Sequence, residues 1–88
     1  MESGYKVSFT EGGARRFRKL DGALAKKILS KVGVLKNYKN LNNVKQLKGE
    51  KRDYFRLRVG DLRVIFYVEE VAKMVWIDDI GFRGSVYK

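Results

Sequence analysis

The fold is decided by residues 54–68, which read YFRLRVGDLRVIFYV. Apolar and polar side chains alternate along this segment, and alternation at period two is typical of a half-buried β-strand. The pair Gly60-Asp61 suits a two-residue type II′ turn, because glycine takes a positive φ without a steric penalty. We therefore predict two antiparallel strands joined by a tight turn at Gly60-Asp61.

Counting outward from that turn assigns each side chain to one face of the hairpin. On the face that carries the polar side chains, Arg58 is expected directly across from Arg63, with Arg56 one step along. Tyr54 is expected across from Tyr67 on that same face. Like charges that oppose each other destabilise an antiparallel pair. This second face is therefore predicted to bind an anion. The apolar face is predicted to hold three cross-strand pairs: Val59–Leu62, Leu57–Val64 and Phe55–Phe66.

Length and composition narrow the class of protein. The 88 residues have room for a single hydrophobic core, so we predict one domain spanning residues 1–88. The absence of Cys and His excludes disulfides and removes the commonest general base and metal ligand. No apolar run is long enough to span a membrane and no signal-peptide pattern opens the chain, which predicts a cytoplasmic protein.

The charge balance predicts the kind of partner. Lys and Arg number 20 against 10 Asp and Glu, which gives a formal net charge of +10. So one-sided a balance on a short chain favours a polyanionic partner, either a nucleic acid or a very acidic protein.

The rest of the chain supplies a first strand, two helices and a last strand. Residues 5–9 alternate as a strand, and Thr10 and Asp21 are candidate N-caps of the helices. Residues 37–43 read as a loop, and residues 44–49 are expected to anchor one or two apolar side chains. Residues 73–80 form the last strand, with Trp76 expected in the core. Apolar residues at helical spacing mark the core-facing sides of the helices: Ala14, Phe17 and Leu20, then Leu24, Ile28, Val32 and Leu35.

This order predicts an α+β domain of the form β-α-α-β-β-β. Two N-terminal helices would pack on one face of a mainly antiparallel four-stranded sheet, and the arginine side would stay open. The acidic pairs Glu69-Glu70 and Asp78-Asp79 are expected to be surface charge. Adjacent strand residues point to opposite faces, so Asp78 and Asp79 should not converge on one metal ion. We expect neither a metal nor a cofactor.

At three segments the sequence resembles the RelE/ParE superfamily of toxins from type II toxin–antitoxin systems. The segments are residues 44–49 (VKQLKG), residues 54–67 of the hairpin, and residues 80–87. The superfamily has the α+β fold predicted above. Its RelE-like members cut mRNA on the ribosome, whereas its ParE-like members inhibit DNA gyrase. Both kinds are held inactive by an antitoxin protein.

The resemblance, with the RelE-like branch favoured, also implies roles for particular residues. Arg63 is expected to stabilise charge on the phosphorus, and Arg83 to act beside the leaving oxygen. Arg56 stands where a base is expected, and Tyr87 is expected to stack on a nucleobase. Tyr54 replaces a lysine of the family, which leaves the identity of the general base open. RNA binding is expected from six residues: Lys45, Lys48, Lys51, Arg52, Tyr54 and Arg58.

The resemblance thus predicts a ribosome-dependent mRNA endoribonuclease that works without a metal. The RNA 2′-hydroxyl would attack the adjacent phosphorus in line. The expected partners are an acidic antitoxin and mRNA in the ribosomal A site, with a higher-order toxin–antitoxin complex as a further expectation. Two alternatives stay open. The chain could be a ParE-like toxin that inhibits gyrase by binding, or a degenerate member that binds an antitoxin without cleaving RNA.

Overall fold

The computed structural model describes residues 4–33, 35, 44–49 and 52–82 of the chain. Within these residues the strands form one sheet in the order β1-β5-β4-β3-β2. Every neighbouring pair is antiparallel except the parallel pair of β1 and β5. The predicted α+β class is confirmed. The elements are β1 (Lys6–Phe9), α1 (Glu11–Arg18), α2 (Gly22–Val32), β2 (Val44–Leu47), β3 (Tyr54–Val59), β4 (Leu62–Glu69) and β5 (Met74–Phe82).

The sheet has five strands where four were predicted. The additional strand is β2, in which Val44 lies opposite Leu57 and Leu47 opposite Tyr54. β2 has only four residues, and the adjacent polar pair Lys45-Gln46 interrupts its alternation. Its extended conformation therefore depends on pairing with the edge of β3, which a pattern within the segment does not reveal. The element order is β-α-α-β-β-β-β.

The central hairpin has the predicted turn and register. Gly60 has a φ of 60°, as the first position of a type II′ turn requires. Arg58 lies directly opposite Arg63. The apolar pairs also lie in the predicted register: Val59–Leu62, Leu57–Val64 and Phe55–Phe66.

The hydrophobic core lies between the helices and one face of the sheet. Ile28 and Val32 of α2 and the following Leu35 are buried, which confirms most of the predicted helical stripe. Leu24 and Phe17 are partly buried against the same cluster. The strands contribute the remaining buried core side chains: Leu57, Val59, Leu62, Val64, Phe66, Val75, Ile77 and Ile80.

Both predicted N-caps are present. The Thr10 hydroxyl accepts a hydrogen bond from the Gly13 amide at 3.0 Å, and Asp21 Oδ1 accepts one from the Leu24 amide at 2.9 Å. Gly13 lies so close to β5 that a Cβ there would collide with the Ile77 carbonyl. The glycine therefore lets α1 pack directly on the backbone of β5. No helix in the described part of the chain is both long and apolar enough to span a membrane.

Candidate functional site

The basic side chains of the strands lie on the sheet face opposite the core, here called the arginine face. Its side chains form three rows that run across the strands, because residues paired in register stand side by side. From the hairpin turn outward, the rows are Arg58, Arg63 and Gly81; then Lys45, Arg56, Ile65 and Asp79; then Leu47, Tyr54, Tyr67 and Trp76.

The first row forms a pocket beside the hairpin turn. Arg58 and Arg63 line this pocket of about 140 Å³ together with Gly60 and Asp61. Gly81 lies across from Arg63 on β5 and adds no side chain to the row. Two guanidinium groups at one opening suit a phosphate, because each planar fork can donate two parallel hydrogen bonds to its oxygens.

The second row extends the positive charge toward one edge of the sheet. Lys45 on β2 lies opposite Arg56 on β3. Ile65, across from Arg56, is only 2% exposed although it lies outside the core cluster. Alkyl stems of long charged side chains can cover apolar surface in this way.

The far end of the second row is acidic, and its carboxylate is already engaged. Asp79 Oδ1 lies 3.2 Å from Arg16 Nε of α1 and accepts a hydrogen bond from the Ile80 amide at 2.9 Å. Asp79 therefore joins α1 to the sheet. Arg16 partly neutralises the negative charge of Asp79. The other end of the row, at Arg56 and Lys45, is basic.

A β-bulge corrects the expectation that Asp78 and Asp79 point to opposite faces. The register between β4 and β5 shifts at Ile65/Phe66, so β5 has one additional residue there. Ile77 and Ile80 are both buried in the core, which leaves both intervening aspartates on the other side of the strand. Asp78 accepts a hydrogen bond from the Thr10 hydroxyl at 3.0 Å. Among the described residues no cluster of three or more His, Cys, Asp or Glu could hold a metal ion.

The third row is aromatic. The rings of Tyr54 and Tyr67 meet edge to face with centroids 5.8 Å apart. The guanidinium carbon of Arg52 lies 4.0 Å from the centroid of the Tyr67 ring, within cation–π range. Trp76 stands across from Tyr67 on β5, and its indole Nε1 donates a hydrogen bond to Glu69 Oε1 at 2.8 Å.

Trp76 was expected in the core, and that expectation is wrong. The indole is half-buried and lies on the arginine face, because the neighbours Val75 and Ile77 take the core-facing positions of β5. The alternation of those two residues around Trp76 was the available signal. Sequence reasoning thus missed Trp76 as a member of the site and treated Tyr67 only as a partner of Tyr54.

Six of the ten predicted site residues share one face of the sheet. Lys48 follows β2 and is exposed. Lys51, Arg83 and Tyr87 lie outside the described residues. The members that share the arginine face are Lys45, Arg52, Tyr54, Arg56, Arg58 and Arg63.

The architecture places this chain in the class of small α+β domains whose exposed sheet face is basic and aromatic. A chain of the archaeal RelE–RelB complex from Pyrococcus horikoshii OT3 matches 96% of this chain and 100% of its own, with 26% identity and a TM-score of 0.74. A chain of the Mycobacterium tuberculosis RelBE2 toxin–antitoxin complex matches 92% and 100%, with 22% identity and a TM-score of 0.77. The isolated E. coli RelE toxin matches 94% and 90%, with 20% identity and a TM-score of 0.73.

The resemblance to the RelE/ParE superfamily is confirmed by these matches, which extend over nearly the full length of the chain. The chain has a RelE-like fold. Neither protein-family models nor curated protein sequences give a match.

Proposed function

We propose that the chain is the toxin of a type II toxin–antitoxin pair and that it cuts mRNA on the ribosome. The observation that carries this proposal is the opposed pair Arg58 and Arg63 at one pocket, on the same face as Arg56 and Lys45. Like charges that oppose each other on adjacent strands destabilise the pair, so their presence at one pocket favours an anionic ligand there. The RelE-like fold supports the same function.

The reaction needs little covalent chemistry from the protein. RNA carries its own nucleophile, the 2′-hydroxyl, and holding it in line with the adjacent phosphorus removes much of the barrier. Negative charge develops on the non-bridging phosphoryl oxygens as the 2′-oxygen attacks, and on the 5′-oxygen as its bond to phosphorus breaks. Arg63 stabilises that charge, and Arg58 on the opposite strand holds the RNA backbone.

Proton transfer is the other half of the chemistry. Arg56 is a poor proton acceptor, so in this proposal a water molecule that it positions takes the proton of the 2′-hydroxyl, and a proton from solvent neutralises the leaving 5′-oxygen. Tyr54 occupies the position where the family has a lysine. The proposal therefore assigns most of the rate enhancement to preorganised positive charge. From the resemblance it keeps Arg83 beside the leaving oxygen and Tyr87 as a stacking residue.

The proposed partner is an acidic antitoxin. Similar chains have been solved in complex with RelB from Pyrococcus horikoshii, and E. coli RelE has been solved in the intact RelBE complex. The net charge of +10 and the basic last turn of α1 favour an acidic partner segment. Co-expression with an acidic antitoxin should give a stable complex whose association slows sharply as salt rises. Salt-insensitive association would contradict the electrostatic basis of this pairing.

The function is tested by expressing the chain without an antitoxin. Growth should stop, and primer extension should detect translated mRNAs cut inside codons at the ribosomal A site. A matched pair of charge-removing variants controls the experiment: Arg63→Ala should abolish cleavage, whereas Lys26→Ala on the exposed side of α2 should not. Intact messages with blocked supercoiling would instead identify a gyrase inhibitor. Antitoxin binding with neither effect would identify a degenerate member.

A further inference from the structure

The aromatic row, meaning Tyr54, Tyr67 and Trp76, has no part in the chemistry proposed above. Its three side chains are half-buried and lie on the face away from the core, so they are not needed to fill the hydrophobic interior. The row stands on the same face as the arginine pocket. Proteins that bind single-stranded nucleic acids typically combine a basic groove for the backbone with aromatic side chains on which the bases stack.

We infer that the aromatic row and Arg52 form a stacking platform for one nucleobase of the RNA. The inference rests on the proposed function, because it takes the bound polyanion to be single-stranded RNA. Arg52 is exposed and lies over the Tyr67 ring at 4.0 Å. Because Arg52 is exposed, its guanidinium can be reached from solvent, and RNA bases stack on arginine planes as well as on aromatic rings.

The platform is held in place before any ligand binds. The rings of Tyr54 and Tyr67 pack edge to face with their centroids 5.8 Å apart, which limits the rotation of both rings. The hydrogen bond from Trp76 Nε1 to Glu69 fixes the indole at the end of the row. Side chains that are already ordered lose less conformational entropy when a ligand binds, so this arrangement favours binding.

The spacing between platform and pocket suits a continuous strand of RNA. Tyr67 and Arg63 are on the same strand and the same face, four residues apart, which corresponds to about 13 Å at about 3.3 Å per residue. Arg56 and Lys45 lie in the row between them and provide positive charge along the path. A phosphate at the pocket and a base on the platform would therefore belong to the same short stretch of RNA.

Trp76 is the single tryptophan of the chain and reports directly on the platform. We would titrate the purified protein with a short oligoadenylate and with an abasic ribose–phosphate oligomer of the same length. The oligoadenylate should quench Trp76 fluorescence and bind more tightly than the abasic oligomer, because only it can stack. Equal affinity and equal quenching for the two oligomers would overturn the platform.

Substitutions of Arg52 separate stacking from charge. Arg52→Lys keeps the positive charge but loses the planar guanidinium. Arg52→Lys should therefore weaken oligoadenylate binding nearly as much as Arg52→Gln, by about five- to 150-fold, the range measured for losing one stacked base. Binding of the abasic oligomer should change little in Arg52→Lys. Full retention of oligoadenylate affinity in Arg52→Lys would show that Arg52 contributes charge alone and would overturn its place in the platform.

Substitutions of Tyr67 test the ring itself. Tyr67→Phe keeps the ring and should retain base-dependent binding, whereas Tyr67→Leu keeps an apolar side chain but removes the aromatic face and should lose it. Thermal melting of both variants checks that each is folded. Equal base-dependent binding by folded Tyr67→Phe and Tyr67→Leu would overturn the platform.

The platform and the proposed function fail in different ways. Ribosome-dependent mRNA cleavage without base-dependent binding would overturn the platform and leave the proposed function standing. Base-dependent binding without mRNA cleavage would support the platform and overturn the proposed function.

Discussion

The two faces of the hairpin formed by β3 and β4 carry alternate residues of the same two strands and serve opposite purposes. On the core face, Leu57, Val64 and Phe66 are almost completely buried. On the arginine face, one residue away along the chain, Arg58 and Arg63 line a solvent-accessible pocket. Period-two alternation thus places fold-determining and ligand-binding side chains next to each other in sequence.

The comparison teaches that neighbouring substitutions should have separable effects. A change on the core face should lower the free energy of unfolding and affect function only through unfolding. A change on the arginine face should affect ligand binding or rate while the protein stays folded. Ile65 limits this rule, because it belongs to the arginine face by register and is nevertheless buried.

The largest effect is expected from Phe66→Ala. Phe66 is fully buried and stacks on Phe55 with ring centroids 5.4 Å apart. Truncating such a ring costs about 3–5 kcal/mol, which is a large part of the stability of a small domain. Chemical denaturation should detect this loss. The adjacent Tyr67→Ala, on the half-buried arginine face, is the matched control and should cost much less. Equal losses for the two variants would contradict the separation of the faces.

Arg63→Ala should show the converse pattern. Removing the charge opposite Arg58 relieves repulsion, so the melting temperature should stay level or rise. Losing a phosphate clamp should raise the barrier by about 3 kcal/mol, roughly a hundredfold in rate, and abolish toxicity. Arg63→Lys should rescue weakly, because an ammonium group cannot form the bidentate contact. Cleavage and melting are measured on the same preparations. A toxic variant that melts much earlier would show that Arg63 is structural.

The sequence predicts the hairpin well because its signals are local. Glycine chemistry defines the turn, and the turn then defines the register that places Arg58 opposite Arg63. The two N-caps are equally local and were also predicted.

The features that sequence reasoning missed depend on distant parts of the chain. β2 is extended because β3 pairs with it, and no pattern within β2 itself indicates this. The bulge in β5 depends on its pairing with β4, so simple alternation misplaced Asp78 and Asp79. The cation–π contact of Arg52 with Tyr67 joins two residues fifteen positions apart, which spacing alone does not bring together.

Gly13→Ala tests how closely α1 packs on β5, since side chains of α1 reach both faces of the sheet. α1 places Phe17 against Phe9 on the core side, with ring centroids 5.2 Å apart, and Arg16 against Asp79 on the arginine side. A Cβ at position 13 would collide with the β5 backbone, so the variant should lose about 1–3 kcal/mol.

Gly12→Ala is the matched control for that variant, because a Cβ there meets only ordinary contacts. It should gain up to about 1 kcal/mol from better helix propensity. Opposite signs in denaturation experiments would show that close packing on β5, and not glycine flexibility, matters at position 13. A stabilised Gly13→Ala would contradict the close approach.

The smallest effect should distinguish the two N-caps. The side chain of Asp21 accepts the Leu24 amide, whereas the Thr10 hydroxyl accepts the Gly13 amide and can also donate to Asp78. Thr10→Ala should therefore cost about 1–2 kcal/mol and Asp21→Ala about 0.5–1 kcal/mol, both measured by denaturation. Thr10→Ser keeps the hydroxyl and should lose little. Because Asp78 lies on the bulged part of β5, Thr10→Ala should also loosen the attachment of α1 to that strand. An equal loss for Thr10→Ala and Asp21→Ala would mean that Thr10 acts as a helix cap alone.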